Sequence, residues 1–357
     1  MTADRSPDRS SLTALAEFDE IIDVRSPAEF AEDHIPGAIN CPVLDDAQRI
    51  EVGTLYKQAS PFEAKKIGAA LVSENIGRHL RERFLGKARD WKPLIYCWRG
   101  GNRSGSMTTV FRAIGWKASQ LEGGYKTWRS HVVAQLNDLP RAFRFRVICG
   151  ATGSAKTRIL QAIGALGEQV LDLETLASHK GSVLGVLPGQ PQPDQKWFET
   201  LLLQELERLD PARPVYVEAE SRKIGRLHVP ETLIERIRAC ECLNVDATLA
   251  ARIAFLLADY DYFLTMPELL TERLDVLRSL HSRETMTHWQ ELIAAADWPA
   301  LVRELLERHY DPLYRRSQDR NFTGYGNPDT FPADDLSAAG IAGIAARIVH
   351  SRTAQIA

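Results

Sequence analysis

The stretch Pro93-Leu94-Ile95-Tyr96-Cys97-Trp98-Arg99-Gly100-Gly101-Asn102-Arg103-Ser104 delivers one cysteine from an apolar run into a loop of glycines and arginines. These are the ingredients of a nucleophile site. A buried strand over Leu94 to Tyr96 would fix Cys97 at its end, and the glycines let backbone N–H groups turn inward without Cβ hindrance. Asn102 to Ile114 reads as a helix whose N-terminus points back at the loop and adds partial positive charge where a thiolate or oxyanion would sit. Arg99 and Arg103 add two full charges, so the loop favours the anionic sulfur that reacts. The alternative is a structural cysteine closing a strand, and the glycines and arginines crowded around Cys97 argue against it.

A second chemical stretch follows the alternating run Phe143 to Cys149. Gly150-Ala151-Thr152-Gly153-Ser154-Ala155-Lys156-Thr157 comes next and opens a helix over Arg158 to Leu166. Strand, loop and helix stand in the order of a P-loop. Gly150, Thr152, Gly153 and Ser154 supply loop N–H groups for a diphosphate, Lys156 supplies a point charge, and Thr157 can ligate Mg²⁺. Ala155 stands where a glycine is usual. Its Cβ crowds the approach of backbone to phosphate oxygen, which favours phosphate binding over efficient nucleotide hydrolysis. The metal-side carboxylate is expected just past the third strand, where Glu218 and Glu220 lie in Val215-Tyr216-Val217-Glu218-Ala219-Glu220-Ser221-Arg222; Glu220 is the better placed of the two.

The elements needed to position these groups can be traced along the chain. Phe18 to Val24 forms a strand, Pro27 opens a helix over Ala28 to Asp33, and Pro61 to Arg89 is helical. The Cys97 strand, loop and helix are followed by a strand near Ala118 to Leu121 and a helix to Leu136. Strands alternating with helices imply a parallel sheet covered on both faces, with ligands at the carboxyl ends of its strands. Asn137 to Pro140 is a turn-rich boundary. After it come the P-loop, a strand over Val170 to Glu174, the Val215 strand and a strand over Leu243 to Asp246; from Ala247 onward the pattern is mostly helical. The fold class is therefore α/β, with domains over 12–137 and 141–357, the second ending in a helical part.

At 357 residues the chain is long for one domain. A content of 44% hydrophobic and 25% charged residues suits two ordinary cores. No apolar run is long enough to span a membrane, the first residues lack the apolar centre of a signal peptide, and five unpaired-looking cysteines point to a reducing, cytoplasmic setting. Net charge is −3, so an RNA surface must be a local patch. One candidate is Arg78, Arg81, Arg83 and Lys87 near Trp91; a solvated helix face would look alike. A second is Tyr310, Tyr314 and Arg315 in His309-Tyr310-Asp311-Pro312-Leu313-Tyr314-Arg315-Arg316, where rings and cations could meet unstacked bases.

Asp23-Val24-Arg25, His34-Ile35-Pro36-Gly37-Ala38 and the Cys97 loop resemble a rhodanese domain, which implies a rhodanese-like parallel-sheet fold and a cysteine that carries a chalcogen. Five residues separate Cys97 from Arg103, one more than in single-domain rhodaneses. This spacing also resembles that of the C-x5-R phosphatases of the same fold, and keeps that chemistry open. Joined to a P-loop NTPase-like α/β domain, the whole resembles the tRNA 2-selenouridine synthase family. The resemblance runs through Gly53 to Lys57, Glu122-Gly123-Gly124-Tyr125-Lys126, Asp172-Leu173-Glu174, His179 to Ser182, Glu220 to Gly225 and Tyr310 to Arg315. It implies selenium insertion at the wobble uridine of a tRNA anticodon loop. A 5-substituted 2-thiouridine is first alkylated on sulfur by geranyl diphosphate, and selenium from selenophosphate then replaces the geranylthio group. The P-loop half, with Mg²⁺, suits the first step, and Cys97 with Arg99 and Arg103 the second. Ile253, Phe255, Leu256 and Leu257 could line a groove for the geranyl chain or serve as core. An NTP-driven sulfurtransferase acting on RNA is the competing enzyme reading, and a phosphate-sensing RNA-binding module the non-catalytic one.

Overall fold

The computed structural model describes residues 8–314, 316 and 328–351. The chain forms two compact units, Met1–Gln135 and Leu136–Ala357. The first is built on five parallel strands in the order β1 (Arg9–Ser10), β5 (Ser119–Leu121), β4 (Pro93–Tyr96), β2 (Glu20–Asp23) and β3 (Ile39–Asn40). Pairing of Arg9 with Gln120 draws the sheet upstream of residue 12, where the sequence put the domain start. The central β4 is buried along its whole length, as parallel strands covered on both faces must be. Phe84, Trp91, Phe111 and Trp116 pack edge to face beneath it.

The Asp23-Val24-Arg25 sequence is structural. Arg25 is fully buried; its Nη2 donates to Asp23 Oδ2 at 2.7 Å and to the Asp33 carbonyl at 2.6 Å. The Tyr125 ring lies 3.9 Å from the guanidinium carbon, and its hydroxyl donates to Asp33 Oδ2 at 2.7 Å. A charge so deeply buried persists only when paired and hydrogen-bonded in this way. The helix expected from Pro61 to Arg89 is shorter, with an α-helix over Pro61–His79 and a π turn over Leu80–Phe84. It is preceded by a helix over Asp46–Gln58, which Asp45 and Gln48 open with a capping box.

In the second unit five parallel strands run in the order β12 (Asp329–Pro332), β11 (Glu241–Asp246), β6 (Phe145–Cys149), β8 (Val215–Glu218) and β7 (Gln169–Leu171), with β9 (Lys223–Ile224) and β10 (Leu227–His228) as a separate antiparallel pair. The strand β12 lies inside the stretch expected to be helical; it closes the edge beside β11. Asp172 ends β7 and caps a short helix over Leu173–Ala177 by accepting from Thr175 N at 2.8 Å, so Glu174 is on a helix and not on the expected strand. Helices between Leu249 and Tyr310 carry their own core of Phe263, Leu270, Trp289, Leu301 and neighbours. No helix among the described residues is long and apolar enough to cross a membrane.

Candidate active sites

In the first unit Cys97 follows the C-terminal end of β4, and the helix over Asn102–Ile114 has the bounds expected of it. Cys97 is 3% exposed, and its Sγ accepts from the Gly101 amide at 3.3 Å and the Ser104 hydroxyl at 3.1 Å. Gln120 Nε2 in turn donates to the Ser104 oxygen at 2.7 Å and aims that hydroxyl. The Glu122-Gly123-Gly124-Tyr125 turn clasps the loop, since Tyr125 N donates to the Cys97 carbonyl at 2.8 Å and Lys126 N to that of Trp98 at 3.0 Å. Gly124 has φ +61°, and a Cβ there would overlap the Cys97 carbonyl and the Gly100 amide, so this approach requires glycine. Arg103 is only partly available to a ligand: its Nη1 lies 2.7 Å from Glu29 Oε2, and the pair holds the Glu29 carboxyl, itself half-buried, below its usual range. Arg99 is exposed and makes no ion pair among the described residues.

In the second unit the P-loop bridges β6 and the helix over Lys156–Ala165. Ala155 takes φ 59°, the left-handed conformation that a glycine would hold without cost, so the loop keeps its shape despite the substitution. Lys156 Nζ donates to the Gly150 carbonyl at 2.9 Å across the loop mouth. Gly153, with φ +83°, leaves no room for a Cβ beside Leu256. Thr157 Oγ1 stands 3.0 Å from Glu174 Oε2 and 3.2 Å from Glu218 Oε2.

Glu174, Glu218 and Glu220 bring carboxylate oxygens within 4.8 Å of one another. Burial, then the Glu220 charge, pushes the Glu174 carboxyl up to about 8. Burial and neighbouring carboxylates push Glu218 up in the same sense, and burial does so for Glu220. Oε1 of Glu218 is buried without a hydrogen-bond partner among the described residues. An all-oxygen set with an orphaned oxygen fits a hard divalent cation. Sequence reasoning named Thr157 and Glu220 for this role. It passed over Glu174, although Asp172 three residues ahead of Thr175 is an N-cap signal that would have turned the strand into a helix.

The cleft over the loop, about 530 Å³, includes Tyr310 and Tyr314 in its wall. These two were expected at an RNA surface, and the structure places them against the P-loop, where Tyr314 Oη accepts from Gly150 N at 2.6 Å. Arg315 lies outside the described residues. In the first unit Arg78, Arg81 and Arg83 are exposed, whereas Lys87 pairs with Glu20 at 2.6 Å and covers the Trp91 ring. A second, apolar cavity lined by Leu257, Phe263, Leu270, Trp298 and Leu301 shares the walls Thr152, Ser182, Leu256, Tyr260 and Tyr310 with the P-loop cleft. Of the four residues proposed for a groove, Leu256 and Leu257 line this cavity, Phe255 faces the cleft, and Ile253 is core.

Comparison with known proteins matches residues 8–131 to the rhodanese-like domain and residues 143–275 to the tRNA 2-selenouridine synthase AAA domain. The tRNA 2-selenouridine synthase of Nitrosomonas europaea is 37% identical over 270 residues, covering 74% of this chain and 69% of that one. That of Bdellovibrio bacteriovorus is 30% identical over 351 residues, covering 84% and 89%. That of Alcanivorax borkumensis is 31% identical over 326 residues, covering 82% and 88%. With a cysteine loop in one unit and a P-loop in the other, and with these relatives matched through both, the chain belongs to the tRNA 2-selenouridine synthase family.

Proposed function

We propose that the protein exchanges sulfur for selenium at C2 of a 5-substituted 2-thiouridine in the wobble position of tRNA, in two steps through an S-geranyl intermediate. The observation that carries this reading is the shared wall between the P-loop cleft and an apolar cavity. A prenyl diphosphate has this polarity pattern: its head suits the loop N–H groups and Lys156, and the apolar cavity, about 70 Å³, suits the near part of its tail with leucine, phenylalanine and tryptophan. Burying the tail contributes about 0.8 kcal/mol for each methylene. A nucleoside would instead present a polar ribose to those side chains.

In the first step the uridine sulfur forms a bond to C1 of the geranyl group, and the C1–O bond breaks with its electrons leaving on diphosphate. Loop amides, the helix N-terminus and Lys156 stabilise that leaving charge. Magnesium, held by Thr157 with Glu174, Glu218 and Glu220, would supply further positive charge to the diphosphate oxygens. In the second step selenium forms the bond to C2, and geranylthiolate departs with the C2–S electron pair; water supplies the oxygen that replaces selenium on phosphorus. S-alkylation matters because it removes the delocalised thione and makes sulfur a better leaving group. The Cys97 loop, with its inward amides and exposed Arg99, suits a phosphate-bearing selenium donor, and Cys97 serves delivery. Exposed Arg78, Arg81 and Arg83 suit the tRNA backbone.

Nucleoside mass spectrometry of tRNA incubated with geranyl diphosphate and selenophosphate tests the division of labour. Cys97→Ser is expected to accumulate S-geranyl-2-thiouridine and form no 2-selenouridine, while Lys156→Ala forms neither. Equal loss of both steps in both variants would overturn it.

A further inference from the structure

S-alkylation of a 2-thiouridine has a consequence for protons. The neutral product carries a C2=N3 double bond, so the N3–H proton must be removed as the S–C1 bond forms. A base is therefore needed where the diphosphate cleft meets the apolar cavity, because C1 lies between head and tail. Most titratable groups around that cleft have other roles. Glu174, Glu218 and Glu220 cluster at Thr157; Lys156 faces the loop; Lys180 pairs with Asp259 at 2.7 Å; and the phenols of Tyr260 and Tyr310 are pushed up by burial, Tyr310 to about 12. Two histidines remain in the wall, His179 and His309.

His309 has the features of a base with a relay behind it. It lies on the π turn Leu306–Tyr310, a widened turn of the kind that re-aims side chains at functional sites. His309 and Tyr310 are neighbours in sequence with ring centroids 4.8 Å apart, and both line the cleft, where regular helix spacing would turn them apart. His309 is 4% exposed, and its Nδ1 lies 3.0 Å from Nε2 of His281, which is packed against Trp289. No described residue hydrogen-bonds to His309 Nε2. His179 has no such relay: its Nδ1 is buried without a partner among the described residues.

We propose that His309 is the catalytic base of the alkylation step, taking the uridine N3 proton on Nε2 while Nδ1–H donates to His281. The proposal rests on the geranylation reading above. As sulfur's electron pair bonds to C1 and diphosphate leaves, the C2=S π pair moves onto sulfur, the N3 π lone pair forms the C2=N3 bond, and the proton moves to His309 while the N3–H electron pair stays on N3. Burial, then the His281 charge, holds His309 below the ordinary histidine range, which keeps it unprotonated and ready at neutral pH. Tyr310 beside it stays protonated.

The test measures single-turnover S-geranylation of an anticodon stem-loop by the full chain with geranyl diphosphate, on 2-thiouridine and on 5-chloro-2-thiouridine, whose N3–H is more acidic. His309→Gln is expected to slow the 2-thiouridine reaction by about 100-fold at neutral pH, the low end for a general base. It should recover most of that rate on the chlorinated substrate at alkaline pH, where N3 has already lost its proton. His281→Gln should move the acidic limb of the wild-type profile. A fall that is equal on both substrates at every pH, or a loss of the limb in His179→Gln in place of His309→Gln, would overturn the assignment. So would a wild-type profile with no acidic limb down to the pH at which the chain unfolds, a measurement that stands if the variants fail to fold. Absence of any S-geranyl product from wild type would instead sink the geranylation reading itself.

Discussion

The guanidinium of Arg252 ties the P-loop to the helical part of its unit: Nε donates to the Thr152 carbonyl at 2.8 Å, while Nη1 and Nη2 grip the Asp311 carboxylate at 3.1 and 2.6 Å. Asp311 sits three residues before Tyr314, which takes the Gly150 amide, so two side-chain links converge on one short loop. A buried guanidinium satisfied on every face is a rigid strut.

Arg252→Ala should therefore cost about 3 kcal/mol, the low end for breaking a buried ion pair, because Asp311 keeps some contact with water. Arg252→Lys should cost less, since it keeps the charge but cannot hold the fork and the Thr152 bond together. Urea unfolding of the second unit's transition measures both. The KM for the diphosphate substrate should rise in the same order, because the loop loses its support. Equal stability of Arg252→Lys and the wild type would mean that charge alone, and not the fork, holds Asp311.

Ala155→Gly sets three small terms against each other. The left-handed φ of 59° costs a non-glycine residue about 1 kcal/mol, which glycine relieves. Against that, glycine gains about 0.5–1 kcal/mol of unfolded-chain entropy. It also gives up a methyl packed in the core, at about 0.8 kcal/mol. The sum lies within about 1 kcal/mol of zero or slightly destabilising. Because the alanine already holds the glycine conformation, the diphosphate KM should change less than about threefold. Appearance of strong nucleotide hydrolysis in Ala155→Gly would show instead that this Cβ selects against that reaction.

How far the sequence could be read follows from where the signals were local. Cys97 at a strand end, the helix Asn102–Ile114 and the P-loop rest on contiguous runs whose apolar pattern and glycine placement fix the local backbone. Glu174 was lost because Val170-Leu171-Asp172-Leu173-Glu174 alternates like a strand, while the competing term is a single side-chain cap from Asp172. β12 was lost because its strand character depends on an edge offered by β11, more than eighty residues earlier in the chain. Tyr314 illustrates the limit of composition: a ring near cations fits RNA stacking and P-loop support equally, and only the fold brings Gly150 to its hydroxyl. The apolar cavity assembles leucines and aromatics from helices far apart in sequence, each of which reads as ordinary core by itself.

The carboxyls of Glu174, Glu218 and Glu220 beside Thr157 would tie the proposed magnesium binding to pH. Glu174 titrates near 8 in the folded chain against an ordinary 4.5, through burial first and the Glu220 charge second. The folded chain thus keeps a proton that the unfolded chain releases across that window. The neutral acid contributes stability that is complete below 4.5 and lost as pH rises through about 8. Glu218 and Glu220 shift in the same direction. Metal ligation needs these groups ionised, so protons compete with magnesium over the same range. In EDTA the Tm should fall as pH climbs from about 5 to 8, and the Tm gained on adding Mg²⁺ should be larger at about pH 8 than at about pH 6. Glu174→Gln with Glu218→Gln should flatten both trends, since the shifted groups and the ligands disappear together. A Tm gain from magnesium that is the same at both pH values, or that survives the double variant, would place the ion away from these carboxylates.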